Sequence, residues 1–177
     1  MHRLFIAIPA PEALIDTLAP AMEGGPPNLR WVPEEDLHCT LRFIGNVERG
    51  MIPQIVEVLG DIRSPAIAAQ IDGVGILDHR RHGALWARLQ PKAALTALHH
   101  KIDRALQTVG LEPEHRAYLP HITLARWSGG RIHARAWAER NAGLASEAQP
   151  FDSFTLFESR LSRHGASYTP IADFGLA

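Results

Sequence analysis

Cysteine is nearly absent: Cys39 stands alone among 177 residues, which excludes an internal disulfide and a cysteine-rich zinc site. Long apolar runs are missing too. None approaches the ~20 residues of a membrane-spanning helix, and Met1-His2-Arg3 leads into a strand-like run rather than a secretory leader, so the expected setting is the reducing cytoplasm, with no membrane partner. Net charge is equally scarce, at -1 for 18 basic and 19 acidic side chains with no run of one sign. That argues against the broad basic stripe of a duplex-binding protein and confines any nucleic-acid contact to a local patch. With 46% hydrophobic and 21% charged residues, the composition gives no sign of disorder or of an interaction tail. The length suits one domain, 1–177, expected to fold by packing alone and to act as a monomer with no obligate protein partner.

Hydrophobic periodicity then sets out the elements. Arg3 to Ile8 reads as a strand, Glu12 to Met22 as a helix, Leu29 to Val32 and Leu37 to Ile44 as strands, and Met51 to Leu59 as a one-sided helix. Ile67 to Leu77 and Ala84 to Leu89 form a hairpin around the polar loop Asp78 to Gly83. Lys92 to Val109 is the clearest helix, because Leu95, Leu98, Ile102, Leu106 and Val109 recur every three or four residues. A strand from His121 to Trp127, a helix over Arg131 to Asn141 and two closing strands, Phe151 to Leu161 and Tyr168 to Phe174, complete the chain. The order, βαββαββαβαββ, predicts an α+β fold with mostly antiparallel neighbours, and each half holds a similar strand with a companion helix.

That similarity is sharpest at two tetrapeptides. From ten His, seven Thr and twenty Leu, roughly 0.05 copies of His-x-Thr-Leu are expected by chance, yet the chain holds two, His38 to Leu41 and His121 to Leu124. On a strand, successive side chains alternate, so His38 and Thr40 share one face, as do His121 and Thr123, while Cys39, Leu41, Ile122 and Leu124 turn to the core. Imidazole titrates near neutrality, so one histidine can take a proton from water while another, protonated, gives one to a leaving oxygen. The threonine hydroxyls, ~7 Å along the strand from each histidine, are placed to donate to phosphoryl oxygens. A lone histidine is more often a satisfied structural group, but duplication in phase with threonine reverses those odds. A metal reading is weaker, since neither motif has the spacing of a helical zinc site and no acidic third ligand is fixed beside it.

These residues, with Arg3-Leu4-Phe5-Ile6-Ala7-Ile8, Arg30-Trp31-Val32-Pro33, Phe43-Ile44-Gly45, Pro120, Ala125-Arg126 and Leu156 to Leu161, resemble the 2H phosphoesterase superfamily, specifically the RNA 2′,3′-cyclic phosphodiesterases or 2′-5′ RNA ligases of the LigT type. The resemblance covers nearly the whole chain. It implies a bilobal fold, two pseudo-symmetric antiparallel-sheet lobes with outer helices around a central cleft, using no metal or other cofactor. It also implies that His38 is the proton donor and His121 the acceptor, acting on RNA ends that bear a 2′,3′-cyclic phosphate, with 2′-5′ joining as the reverse reaction. The family often has leucine at the position of Cys39, whose side chain alternation directs away from His38, so a small buried hydrophobe is the better reading than a nucleophile.

Other residues are weighed less sharply. Arg126 matches a family arginine associated with substrate, although strict alternation places it out of phase with His121 and Thr123: either the strand ends or bulges before it, or it is a surface charge, the substrate role being favoured. Arg42, in phase with His38 and Thr40 by the same rule, is open to a cleft or a solvent role. Phe5 and Tyr118 are candidates to stack on a terminal base, with burial the stronger expectation for Phe5. The Asp78 to His82 loop is a candidate contact with RNA beyond the end. His79, His82, His99 and His100 read as solvated groups and the four tryptophans as packing residues. Two further functions stay open: the same chemistry on a small cyclic nucleotide or ADP-ribose cyclic phosphate, and RNA-end binding without turnover.

Overall fold

A computed structural model describes residues 1–177. In chain order it comprises β1 (His2–Pro9), α1 (Glu12–Leu18), β2 (Leu29–Trp31), β3 (His38–Val47), α2 (Ile52–Gly60), β4 (Ile67–Asp78), β5 (His82–Gln90), α3 (Lys92–Gln107), β6 (His121–Ser128), α4 (Arg135–Arg140), β7 (Gln149–Phe151), β8 (Ser153–Ser162) and β9 (Gly165–Gly175). The expected first helix stops at Leu18 and tightens into a 3₁₀ turn, Ala19–Ala21, because Pro20 lacks the N–H that would continue it. Residues 131 to 134 precede α4 as a non-helical lead-in whose Ile132 and Ala134 are buried. The strand expected from Phe151 is broken at Asp152: β7 pairs with β4, whereas β8 pairs with β1 and β9.

All strand pairs are antiparallel, and the sheet runs β7-β4-β5-β6-β3-β1-β8-β9, with β2 added beside the far end of β6. Its middle is its narrowest join. β3 and β6 share a single ladder pair, Cys39 with Ile122, so the sheet divides into a first lobe of β3, β1, β8 and β9 and a second of β6, β5, β4 and β7 with β2. The two His-x-Thr-Leu strands are the inner strands of the two lobes. Beneath them lies one continuous cluster of 32 buried residues drawn from both lobes, so neither lobe has a core of its own.

α3 packs on β3 and β5, crossing the join. Its buried stripe carries Leu95, Leu98, Ile102 and Leu106 at helical spacing, and also two polar residues, His99 and Asp103. α2 lies against α3 and β9, and α4 against β4, where the Trp137 indole N–H donates to the Ala21 carbonyl at 2.9 Å. No helix is long and apolar enough to cross a membrane.

Candidate active site

Both motif strands begin at their histidine, and the burial of their first six residues is the same: half-buried His, buried Cys39 or Ile122, half-buried Thr, buried Leu, a second buried residue, then an exposed one. Antiparallel register about the Cys39–Ile122 pair sets His38 across from Thr123 and Thr40 across from His121, so each histidine faces the other motif's threonine. Each imidazole is anchored alike. His38 Nδ1 lies 2.6 Å from the Asp36 carbonyl oxygen and His121 Nδ1 lies 2.6 Å from that of Leu119. A carbonyl only accepts, so both Nδ1 atoms carry the proton, and Nε2 of each ring is left for chemistry.

Strict alternation fails beyond the threonines, at the same place in both strands. β1 pairs Ala7 with Thr40 and Ile6 with Arg42, leaving Leu41 as an extra residue; β5 pairs Trp86 with Thr123 and Leu85 with Ala125, leaving Leu124 as an extra residue. A bulge at the leucine of each motif therefore reverses the phase of the residues beyond it. The freed carbonyls find other donors, His99 Nδ1 at 2.6 Å from the Leu41 oxygen and the Val32 N–H at 2.8 Å from the Leu124 oxygen.

The bulges settle the two arginines in the opposite sense to alternation. Arg126 is exposed, lines the cleft cavity with His38, and lies close enough for its charge to act on both histidines. Arg42 is turned inward and only 8% exposed; its Nε donates to Asp103 at 2.7 Å, and its other nitrogens bond the carbonyls of Phe43 and Glu112. It borders a cavity of about 220 Å³ with Thr40 and His121, but its donors are spent on the Asp103 carboxylate and two backbone carbonyls and are not free for substrate. The position that corresponds to Arg126 in the first lobe is Phe43, 48% exposed and on the cleft wall.

The walls thus differ. In the first lobe the Phe5 ring lies 5.2 Å from His38, 5.2 Å from Phe157 in a stack, and 5.0 Å from Tyr168 edge-on. It borders the cleft cavity but is buried, only 3% exposed, as its place on a central strand leads one to expect. Tyr168 also meets His38 edge-on at 5.4 Å. In the second lobe Trp86, cross-strand from Thr123, meets His121 edge-on at 5.6 Å. A cavity of about 410 Å³ is lined by Arg3, Phe5, His38, Phe43, Arg126 and Tyr168 among others.

Burial lowers the pKa of both histidines; the carbonyl bonds oppose this, while the Arg126 charge adds to it at each and His121 adds to it at His38. Both are biased toward the neutral imidazole until an anion arrives. Cys39 is fully buried and its thiol is pushed up to about 11, which makes it inert as a nucleophile. Tyr118 is placed as a strut: its hydroxyl donates to the Thr40 carbonyl at 2.9 Å and its ring stacks on His99 at 4.4 Å. His99 itself, expected in solvent, is only 4% exposed. Trp86, Tyr168, Phe43 and His99 are the site residues that pattern reading misses, because their roles depend on cross-strand register and on which face a bulge exposes. Tyr168 could have been flagged only as an aromatic just beyond the His164-Gly165 turn.

Residues 9–163 match the family model of the 2′-5′ RNA ligase superfamily. The chain belongs to that superfamily. Among superfamily members similar to it, an RNA 2′,3′-cyclic phosphodiesterase of Aeropyrum pernix is 31% identical over 144 residues, covering 79% of this chain and 82% of that protein. One of Geobacillus stearothermophilus is 28% identical over 149 residues, covering 82% of this chain, and the chain spans only about half of that protein, 47%. The crystal structure of E. coli LigT in apo form superposes with a TM-score of 0.77 at 26% identity, covering 99% of this chain and 98% of that one. The superfamily's bilobal α+β fold, with antiparallel lobes around a cleft, is the fold of this chain.

Proposed function

We propose that the chain hydrolyses terminal 2′,3′-cyclic phosphates of RNA to 2′-phosphomonoesters and, with a 5′-hydroxyl end attacking in place of water, can join two strands through a 2′-5′ bond, a step that is reversible. One observation carries the reading: two imidazoles, each with Nδ1 tied to a backbone carbonyl and its Nε2 left free, stand on neighbouring strands close enough for the charge of His121 to act on His38. His121 takes a proton from water as it attacks phosphorus, and His38 gives one to the departing ribose 3′ oxygen. The donor and acceptor assignment rests on the family likeness, since the two anchors are geometrically equivalent. Thr40 and Thr123 donate to the non-bridging oxygens, and Arg126 holds the negative charge that shifts onto them. Phe43 and Tyr168 offer their rings to the terminal nucleoside, with buried Phe5 packed behind them.

The chemistry asks for no metal, and the side chains offer no group of three or more His, Cys, Asp or Glu arranged to hold one. The test is an oligonucleotide ending in a 2′,3′-cyclic phosphate, incubated with protein and EDTA. The expected product is one water heavier and carries a 2′-phosphate, and His38→Ala and His121→Ala each lower its rate by at least ~10²-fold with the fold retained. Activity lost on chelation overturns metal independence. Turnover that survives both alanine variants overturns the paired-histidine mechanism.

A further inference from the structure

A second cavity, about 540 Å³, opens beside the catalytic one and shares Arg126, Gly165, Ala166 and Tyr168 with it. Each is large enough to hold a small-molecule ligand. The second is a groove between β2, the β5–β6 end and the β8–β9 turn, lined by Arg30, Trp31, His82 and His164, with Asp36 as its one carboxylate. Two of its cations are placed unusually. Arg30 of β2 is the direct cross-strand partner of Arg126 of β6, so two guanidinium side chains leave adjoining strands on the same face. Like charges so opposed repel, and nothing in the fold relieves them: neither arginine makes a salt bridge or a side-chain hydrogen bond, and both are exposed. The other arginine of a motif strand, Arg42, has its carboxylate partner. An unneutralised arginine pair at the mouth of a phosphate-cleaving cleft is a site for a second anion.

We propose that Arg30 forms, with Arg126, a subsite for the phosphodiester immediately 5′ of the terminal nucleotide, and that Trp31 offers its half-buried ring to the base beyond. The subsite rests on the hydrolase function proposed for the cleft and deepens it: the substrate is an oligonucleotide end rather than a free cyclic mononucleotide. The groove joins the catalytic cavity at Arg126, so a strand whose cyclic phosphate lies between the histidines passes its next phosphate over Arg30. A guanidinium suits that group, because its fork can grip two phosphate oxygens. The locality of the pair agrees with the net charge of -1, which leaves no basic track for a long strand.

The test compares kcat/KM for a short oligonucleotide bearing a 2′,3′-cyclic phosphate with that for a 2′,3′-cyclic mononucleotide, using wild type and Arg30→Gln. Wild type is expected to favour the oligonucleotide. Arg30→Gln should lose about tenfold on the oligonucleotide, the effect of one charge-assisted bond, and stay within about twofold on the mononucleotide. The salt dependence of log kcat/KM on the oligonucleotide should become shallower by about 0.7, one single-strand phosphate contact. Arg30→Lys, which keeps the charge, should retain most of that slope. Equal losses on both substrates, or no loss on the oligonucleotide, overturn the subsite while leaving the hydrolase reading standing. Absence of wild-type turnover on either substrate overturns both.

Discussion

Arg126 acts on the imidazoles of both motifs in the empty cleft. Burial lowers their pKa values and its charge lowers them further, so both lie below the ordinary histidine value of about 6.5. A reaction needing one neutral and one protonated imidazole runs best between their two pKa values, which places the optimum of kcat/KM on the acid side of about pH 6.5. Arg126→Gln removes a cation that disfavours imidazolium. Both values then rise, and the bell-shaped profile should move to higher pH as kcat/KM falls. A pH–rate profile on a cyclic mononucleotide checks the sign: an unmoved or acid-shifted optimum contradicts the action of this charge on the histidines. In the proposed reaction the same cation is neutralised by the bound phosphate, so the proton donor becomes easier to protonate as substrate arrives.

At the scale of single elements, α3 is the support of the first motif strand. His99 and Asp103, one turn apart on its buried stripe, receive the two consequences of the Leu41 bulge: a carbonyl without its ladder donor and an arginine turned inward. Burial alone would raise the Asp103 carboxyl, but the bonds from Arg42 and from the Glu114 N–H, with the Arg42 charge, hold it below the usual range. Its folded pKa is depressed, so its contribution is present above the unfolded value of about 3.9 and is lost as pH falls through the folded one. Asp103→Ala leaves a buried guanidinium uncompensated and should cost about 3 kcal/mol at pH 7 by denaturant melts, with the deficit shrinking below about pH 4. A deficit under about 0.5 kcal/mol would place this pair among weak surface bridges.

The bulges also mark where sequence reading stops. Four positions per motif were legible, because His, Thr and their apolar neighbours alternate as a regular strand requires. The fifth and sixth were not, since an inserted residue leaves no mark on composition and the register belongs to the partner strands β1 and β5. Alternation accordingly turned Arg42 toward the cleft and Arg126 away from it, and both are reversed. β7 was hidden for a similar reason: Phe151 and Phe154 read as one apolar strand, although Asp152 divides two strands that pair with different lobes.

For the whole molecule, the shared core ties the lobes together more strongly than the sheet does. Trp31, Trp86 and Trp127 lie on β2, β5 and β6, and Trp137 lies on α4 against β4, so tryptophan fluorescence reports the second lobe while far-ultraviolet circular dichroism reports both. Because one buried cluster spans the join, the two signals should follow a single denaturation curve. A fluorescence midpoint displaced from the dichroism midpoint would show that the lobes melt separately.

The narrow join has a metric consequence. Cys39 and Ile122 are the only residues that hold the motif strands in register, and each flanks a histidine. The gap between the two imidazoles is therefore gauged by a backbone ladder, ~5 Å between α-carbons, rather than by the shape of the cleft. The backbone of two chemically silent residues sets the distance between two titratable ones.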